Sequence, residues 1–177
     1  MIHIALSNPK SPSNVGAVMR AAGCFGVEGV FYTGQRYQQA ARYATDTKNQ
    51  VEHIPLQQVD ALQHGCVEGM KLIAVELAEG ATPLPEFVHP ESACYCFGAE
   101  DGSLSQQLID MADAVVYIPT TSCLNLAATV NVVLYDRMAK SPAKLVGDEW
   151  IRRSRDTNNR LRCRDDTEGY QQDSYGK

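Results

Sequence analysis

Several features that would sort this chain quickly are missing from it. No apolar run approaches the roughly 20 residues that a membrane-spanning helix requires. The opening decapeptide, MIHIALSNPK, has neither the basic start nor the long apolar stretch of a secretion signal. Both absences favour a cytoplasmic protein. The six cysteines, at positions 24, 66, 94, 96, 123 and 163, form no C-x-x-C pair and no small-domain disulfide spacing. Cys94 and Cys96 would face the same way from a strand, but two thiols are an incomplete metal site, so no metal is expected. No G-x-G-x-x-G follows the first apolar run and no Gly-Lys-Ser/Thr closes a phosphate loop, which argues against a nucleotide-dependent oxidoreductase and a P-loop protein. Basic charge is scarce over most of the length: residues 1–140 hold 8 Lys/Arg against 14 Asp/Glu.

What is present is enough apolar material, 44% of 177 residues, for one domain with an ordinary core. IHIAL (2–6) reads as a strand, NPKSPSN (8–14) as a turn-rich loop, and VGAVMRAAGCF (15–25) as a helix with Asn14 as a candidate N-cap and Gly26 as its C-terminal stop. GVFYT (29–33) is a second strand, and the resulting β-α-β unit implies parallel strands. KLIAVEL (71–77), CYCFG (94–98) and AVVYIP (114–119) are short apolar runs of the kind that form buried parallel strands, with helices expected over 105–112 and 126–139. VEHIPL (51–56) is a candidate strand and QQVDAL (57–62) a candidate helix start. The fold class is therefore α/β with a parallel sheet. Residues 1–140 read as the domain and 141–177 as a polar extension whose stretch 151–164 holds six Arg against one Asp. That extension reads equally as a solvated surface helix with a frayed end.

In an α/β fold, the loops after strand C-terminal ends are the first places to look for a ligand. Three stand out. In SNVGAVMRAAGCFG (13–26), Arg20 lies in a helix that is otherwise apolar. It must reach solvent at a rim or be held by an acid in a structural ion pair. In FGAEDGSLS (97–105), Gly98 and Gly102 let the backbone bend or approach a ligand closely, while a plain turn with Ser103 or Ser105 capping a helix explains the same residues. In IPTTSCLNLA (118–127), the hydroxyls can cap the following helix with Asn125 turned back on the backbone, but Asn131 then stands unexplained inside an apolar run.

The order of these stretches is more specific than any one of them. NVGAVMR (14–20), FGAEDGSLS (97–105) and IPTTSCLNLA (118–127) resemble the three motifs of the SpoU (TrmH) family, part of the SPOUT superfamily of RNA methyltransferases. The resemblance covers about residues 1–140. It implies an α/β/α domain with a deep C-terminal trefoil knot, an S-adenosylmethionine cofactor, a homodimer, and methyl transfer to a ribose 2′-hydroxyl of RNA. It also implies the site. Arg20 is the catalytic residue, as base or as positioning group, and an arginine pKa above about 12 makes the first role demanding. Asn14, Glu100 and Asn125 form the polar frame. Glu76, Leu77, Gly98, Ile118, Cys123 and Leu124 surround the cofactor. Two departures stand out: Cys123 replaces the serine usual before Leu-Asn, and Ser103, with Gly102 just before it, occupies the place of a second motif glycine.

RNA needs cations. The available ones are Arg36, Arg42 and Lys48, near Tyr37 and Tyr43, and in the extension Arg152, Arg153 and Arg155, with Arg160, Arg162 and Arg164 beyond. An ordinary exposed loop explains 34–50 as well. Single-domain members of the resembled family mostly act on tRNA, so tRNA is favoured over rRNA; a non-catalytic RNA-binding relative is the rival reading.

Overall fold

A computed structural model describes residues 1–41, 54–142 and 146–163. The chain divides into two units, Met1–Ala143 and Lys144–Lys177. The first carries seven strands, β1 (Ile2–Leu6), β2 (Gly29–Tyr32), β3 (Leu56–Gln58), β4 (Lys71–Val75), β5 (Thr82–Pro83), β6 (Ala93–Phe97) and β7 (Ala114–Tyr117), and helices α1 (Pro12–Phe25), α2 (Arg36–Ala41), α3 (Gln106–Met111) and α4 (Leu126–Lys140). The strands form one sheet in the order β3-β2-β1-β6-β4-β7-β5, and every pairing is parallel.

Strand alternation divides the core between the two faces of this sheet. Ile4, Leu6, Ile73, Val75, Tyr95 and Phe97 point to one side, where they meet Val15, Val18 and Met19 of α1 and Val130, Val133 and Leu134 of α4. Ala5, Leu72, Ala74, Cys94 and Cys96 point to the other, against Leu62 and against Leu108 of α3. Cys94 and Cys96 do share a face, fully buried; the hydrogen bond between the two thiols and their burial raise the Cys94 pKa. Among the described residues no group of three or more His, Cys, Asp or Glu is placed to hold a metal ion, and no helix is long and apolar enough to cross a membrane.

Local chemistry sets the helix ends, and one end differs from the sequence expectation. Ser11, rather than Asn14, is the N-cap of α1: its hydroxyl accepts from the Asn14 N–H at 3.3 Å, and Pro12 in the first turn has the φ a helix needs. Asn14 is thereby turned into the helix, with its amide free for another partner. Gly26 ends the helix in the left-handed region (φ 67°). Residues 57–62 do not start an α-helix; Gln57 and Gln58 belong to β3, and a 3-10 turn follows at Leu62–Gly65. Asn131, which looked buried from its apolar neighbours, is exposed and donates to the Ala127 carbonyl at 2.8 Å.

The C-terminal half of α4 is bound to the connection between β5 and β6. Arg137 donates to the carbonyls of Pro90 and Glu91 and to the Tyr95 hydroxyl. Lys140 Nζ donates to the carbonyls of Leu84 and Phe87 and pairs with Asp136 at 2.7 Å. His89 bridges Tyr95 and Asp136.

The second unit holds α5 (Asp148–Ser154), a helix with no buried residue, in which Arg152 and Arg153 pair one turn back with Asp148 and Glu149. The arginine side chain of Arg153 also lies over the Trp150 ring.

Leu134 is 1% exposed at the centre of the α1–α4–sheet layer. Leu134→Ala is expected to lower stability by about 2–5 kcal/mol, read as a shift in denaturant midpoint at unchanged m-value.

Candidate active site

The parallel arrangement places the C-terminal ends of β4, β6 and β7 side by side, and a cavity of about 520 Å³ opens there. That size is within the range of small-molecule and cofactor sites, about 300–1,000 Å³. Its walls are the three loops that follow those strands. Glu76 and Leu77 come from the first, residues 98–103 from the second, and Ile118, Cys123, Leu124 and Asn125 from the third. Asn14 of α1 completes it. The strand ends themselves supply Val75, Phe97 and Tyr117, and the first turn of α4 supplies Thr129; these four were not singled out from the sequence, although each stands where a strand ends or a helix begins.

Two carboxylates organise the walls. Glu76 accepts from the Leu77 N–H at 2.9 Å and from the Leu104 N–H at 2.8 Å, joining the β4 loop to the β6 loop. Gly98 lies against this junction: a Cβ there would come within 3.0 Å of the Gly102 carbonyl oxygen and 3.2 Å of Glu76 Oε2. The close approach, rather than an unusual φ, is what requires glycine. Glu100 accepts from the N–H groups of Lys10 and Ser11 at 2.9 and 3.0 Å and from the Asn14 amide at 3.0 Å. Helix α1 has no acid in its own first turn, so Glu100, 86 residues away from Asn14, supplies the negative charge its N-terminus favours. Burial pushes the Glu100 carboxyl up, but these hydrogen bonds outweigh it and hold the group below its ordinary value.

The third loop is shaped mainly by its own hydrogen bonds. Asn125 caps α4, its side-chain oxygen accepting from the Ala128 N–H at 2.7 Å, while Thr120 donates to the Ser122 carbonyl rather than to the helix. Leu77 and Leu124 stay 60% and 40% exposed, leaving apolar lips on a cavity whose floor is backbone and carboxylate. Cys123 is exposed beside them.

All but one of the residues expected at a catalytic and cofactor site thus line one cavity. The exception is Arg20. It lies on the exposed side of α1 with Gly16, Ala17 and Cys24, outside the cavity lining, and among the described residues no acid pairs with it. Of the expected RNA contacts, Arg36 forms a two-pronged bond to Asp101, both arms 2.9 Å, and Arg152 and Arg153 are held in α5 as above. Arg155 is half-buried at the end of that helix. Arg42 and Lys48 lie outside the described residues, as do Tyr43 and Arg164.

The SpoU rRNA Methylase family model matches residues 1–135, over three quarters of the chain. The chain belongs to this family. Among curated relatives, the tRNA (guanosine(18)-2′-O)-methyltransferase of Escherichia coli K12 is 25% identical over 139 residues, which are 75% of this chain and 61% of that protein. An uncharacterised tRNA/rRNA methyltransferase of Mycobacterium bovis is 29% identical over 139 residues, covering 74% of this chain and 43% of the relative. The chain spans less than two thirds of the length of either relative. Among solved structures, an AdoMet-bound rRNA methyltransferase from Sinorhizobium meliloti matches with a TM-score of 0.65 at 22% identity, over 78% of this chain and 56% of that one. The A. aeolicus TrmH/SpoU tRNA modifying enzyme matches at 0.63 and 17% identity, over 78% and 74%. At these identities the structural likeness establishes the SpoU fold, whose strand-end loops here form the cavity.

Because the Glu100 pKa is lowered in the folded protein, its contribution to stability is present above the unfolded carboxylate value, about 4.3, and is lost as pH falls through the folded value. Glu100→Gln is expected to cost about 1 kcal/mol at neutral pH and to flatten the acid side of the stability–pH curve. Chemical denaturation between about pH 3 and 7 measures both effects.

Proposed function

We propose that this protein transfers a methyl group from S-adenosylmethionine to a ribose 2′-hydroxyl of RNA, with tRNA as the substrate class, and that it does so in the cytoplasm. The observation that carries the reading is the single cavity at the ends of β4, β6 and β7, which gathers the cofactor residues of the sequence reading together with Asn14, Glu100 and Asn125. The name of the Escherichia coli relative supports the choice of tRNA and of the 2′-hydroxyl.

The cavity suits the cofactor in size and in lining. Gly98 lets the β6 loop and Glu76 close tightly on one another at the wall, and Leu77, Ile118 and Leu124 offer apolar surface for a flat base. When bound there, S-adenosylmethionine supplies an electrophilic methyl group on a sulfonium, so that a neutral thioether leaves. The protein's part is then positional. Asn14 is held by Glu100, which leaves its amide fixed at the cavity edge for a ribose oxygen. Asn125 is fixed by its cap on α4 and offers its amide N–H groups toward the same space. Cys123 stands beside Leu124 as a weak donor where a hydroxyl would be a stronger one.

Arg20 needs a second subunit in this reading. Its place on the exposed side of α1, beside Gly16 and Ala17, lets another backbone come close. The neighbouring exposed side of α4, with Val132 and Tyr135, gives that approach an apolar component. We therefore propose a homodimer in which Arg20 of one protomer reaches the cavity of the other and orients the 2′-hydroxyl. We propose also that the chain after β7 is drawn through the connection preceding β6 in a trefoil knot. The bonds from Arg137 and Lys140 to carbonyls at 84–91 support it, because they fasten the domain's last helix to that connection. Arg152, Arg153 and Arg155 serve RNA in this proposal as phosphate contacts, the α5 partners of Arg152 and Arg153 being exposed and exchangeable.

With labelled cofactor and bulk tRNA, Arg20→Ala is expected to lower methyl transfer at least about 100-fold while cofactor affinity changes less than about threefold. Label uptake persisting in the variant would remove Arg20 from the site. Gly98→Ala is expected to act in the opposite sense, with cofactor affinity lost by about tenfold or more in calorimetric titration, because the new methyl meets backbone at 3.0 Å.

A further inference from the structure

The β6 loop is held in three places, and the third differs from the other two. Glu76 grips Leu104 and Glu100 grips the start of α1, both through backbone N–H groups, with the contacts to Leu104 and Ser11 part-buried and that to Lys10 exposed. Asp101, one residue on, projects from the cavity rim to solvent. It holds Arg36 of α2 through two 2.9 Å bonds and has Lys10 Nζ at 3.6 Å. All three side chains are exposed to a third or more of their surface: Asp101 50%, Lys10 62%, Arg36 34%. An exposed pair of this kind is worth little and yields to competing anions and to salt.

The other described Lys and Arg residues of this unit lie away from the rim. Among the described residues of Met1–Ala143, Lys71 pairs with Asp113 at the opposite, N-terminal end of β4. Arg137 and Lys140 are spent on carbonyls of 84–91, and Arg20 lies on the open side of α1. Lys10 and Arg36 are thus the described cations gathered at the cavity rim, converging on one carboxylate. A carboxylate gripped by an arginine fork and a lysine has the charge and the planar two-oxygen geometry of one face of a phosphodiester.

We propose that Lys10 and Arg36 form a subsite for an RNA phosphate next to the reacting nucleotide, and that Asp101 is an internal stand-in for that phosphate, displaced when RNA arrives. The proposal rests on the reading of the cavity as an RNA methyltransferase site. Its consequence is selectivity by charge. With no RNA present, Asp101 occupies both cations, offsets one of their two charges and keeps free anions off them. A polyanion with several phosphates overcomes the competition because its other contacts hold it in place. The displacement forms and breaks no covalent bond; Arg36 and Lys10 exchange one oxyanion for another. The cavity wall keeps its shape through the exchange because Glu76 and Glu100 do not let go.

The test is a double-mutant cycle on the full chain, with unfractionated tRNA as probe and affinity read by filter binding over a range of salt, beside calorimetric titration of S-adenosylmethionine. Arg36→Gln is expected to weaken tRNA binding and to reduce the slope of log Kd against log salt by about one. Asp101→Asn is expected to tighten tRNA binding about two- to fivefold, the worth of an exposed ion pair. That gain should vanish in the Arg36→Gln background, because the competitor then has nothing to compete for. A gain that persists in the double variant is general electrostatics and overturns the proposal. So does a loss of S-adenosylmethionine affinity in Asp101→Asn as large as its change in tRNA affinity, which would mark Asp101 as a brace of the wall. Failure of every form to bind tRNA would overturn the methyltransferase reading together with the subsite. Equal tRNA affinities and salt slopes in all four forms, with cofactor binding intact, would overturn the subsite alone.

Discussion

The grip of Glu100 on the start of α1 is the contact on which the rest of the site depends. It joins the loop after β6 to the loop after β1, two strands that are neighbours in the sheet but far apart in sequence. The carboxylate satisfies two backbone N–H groups near the start of α1 and fixes the amide of Asn14 in the same stroke. Its geometry follows from the insertion of β6 between β1 and β4, which, with both pairings parallel, sets the loops after these three strands beside one another at one end of the sheet. Without that insertion, Glu100 and Asn14 would have no reason to meet.

Much of this was legible in the sequence, for physical reasons that differ by element. The strands β1, β4, β6 and β7 are short apolar runs flanked by turn residues, and parallel burial on both faces leaves that signature. Helix α1 ends at Gly26 as expected because only a left-handed residue closes it there. The start of α1 was misplaced by three residues because Ser11-Pro12 is a stronger helix opening than Asn14, whose side chain is taken by a residue 86 positions away. Asn131 looked buried because local apolarity was read as burial, whereas its own turn of α4 faces outward beside Val132 and Tyr135. The strand order, the Arg36–Asp101 fork and the fastening of α4 by Arg137 and Lys140 all join distant segments. No periodicity or spacing could reveal them.

The candidate site was legible as a set of residue types but not as a mechanism. Nearly all its expected members share one cavity, and the roles of several turn out to be mutual support: Glu76 and Gly98 define each other's space, and Asn125 caps the helix it sits on. Arg20 is the member that the domain's own fold does not bring to the cavity. In the proposed enzyme this division has a purpose. The cofactor side is built from carboxylates bonded to backbone N–H groups, and the RNA side from exposed side-chain charges that can exchange partners.

The central claim, that the strand-end cavity directs a methyl group to a ribose hydroxyl, is tested most directly by incubating the protein with methyl-labelled S-adenosylmethionine and tRNA, digesting the RNA to nucleosides and locating the label by mass spectrometry. The account predicts label on the ribose of a single class of 2′-O-methylated nucleoside. Label on a base, or none in tRNA that lacks prior modification, would contradict it.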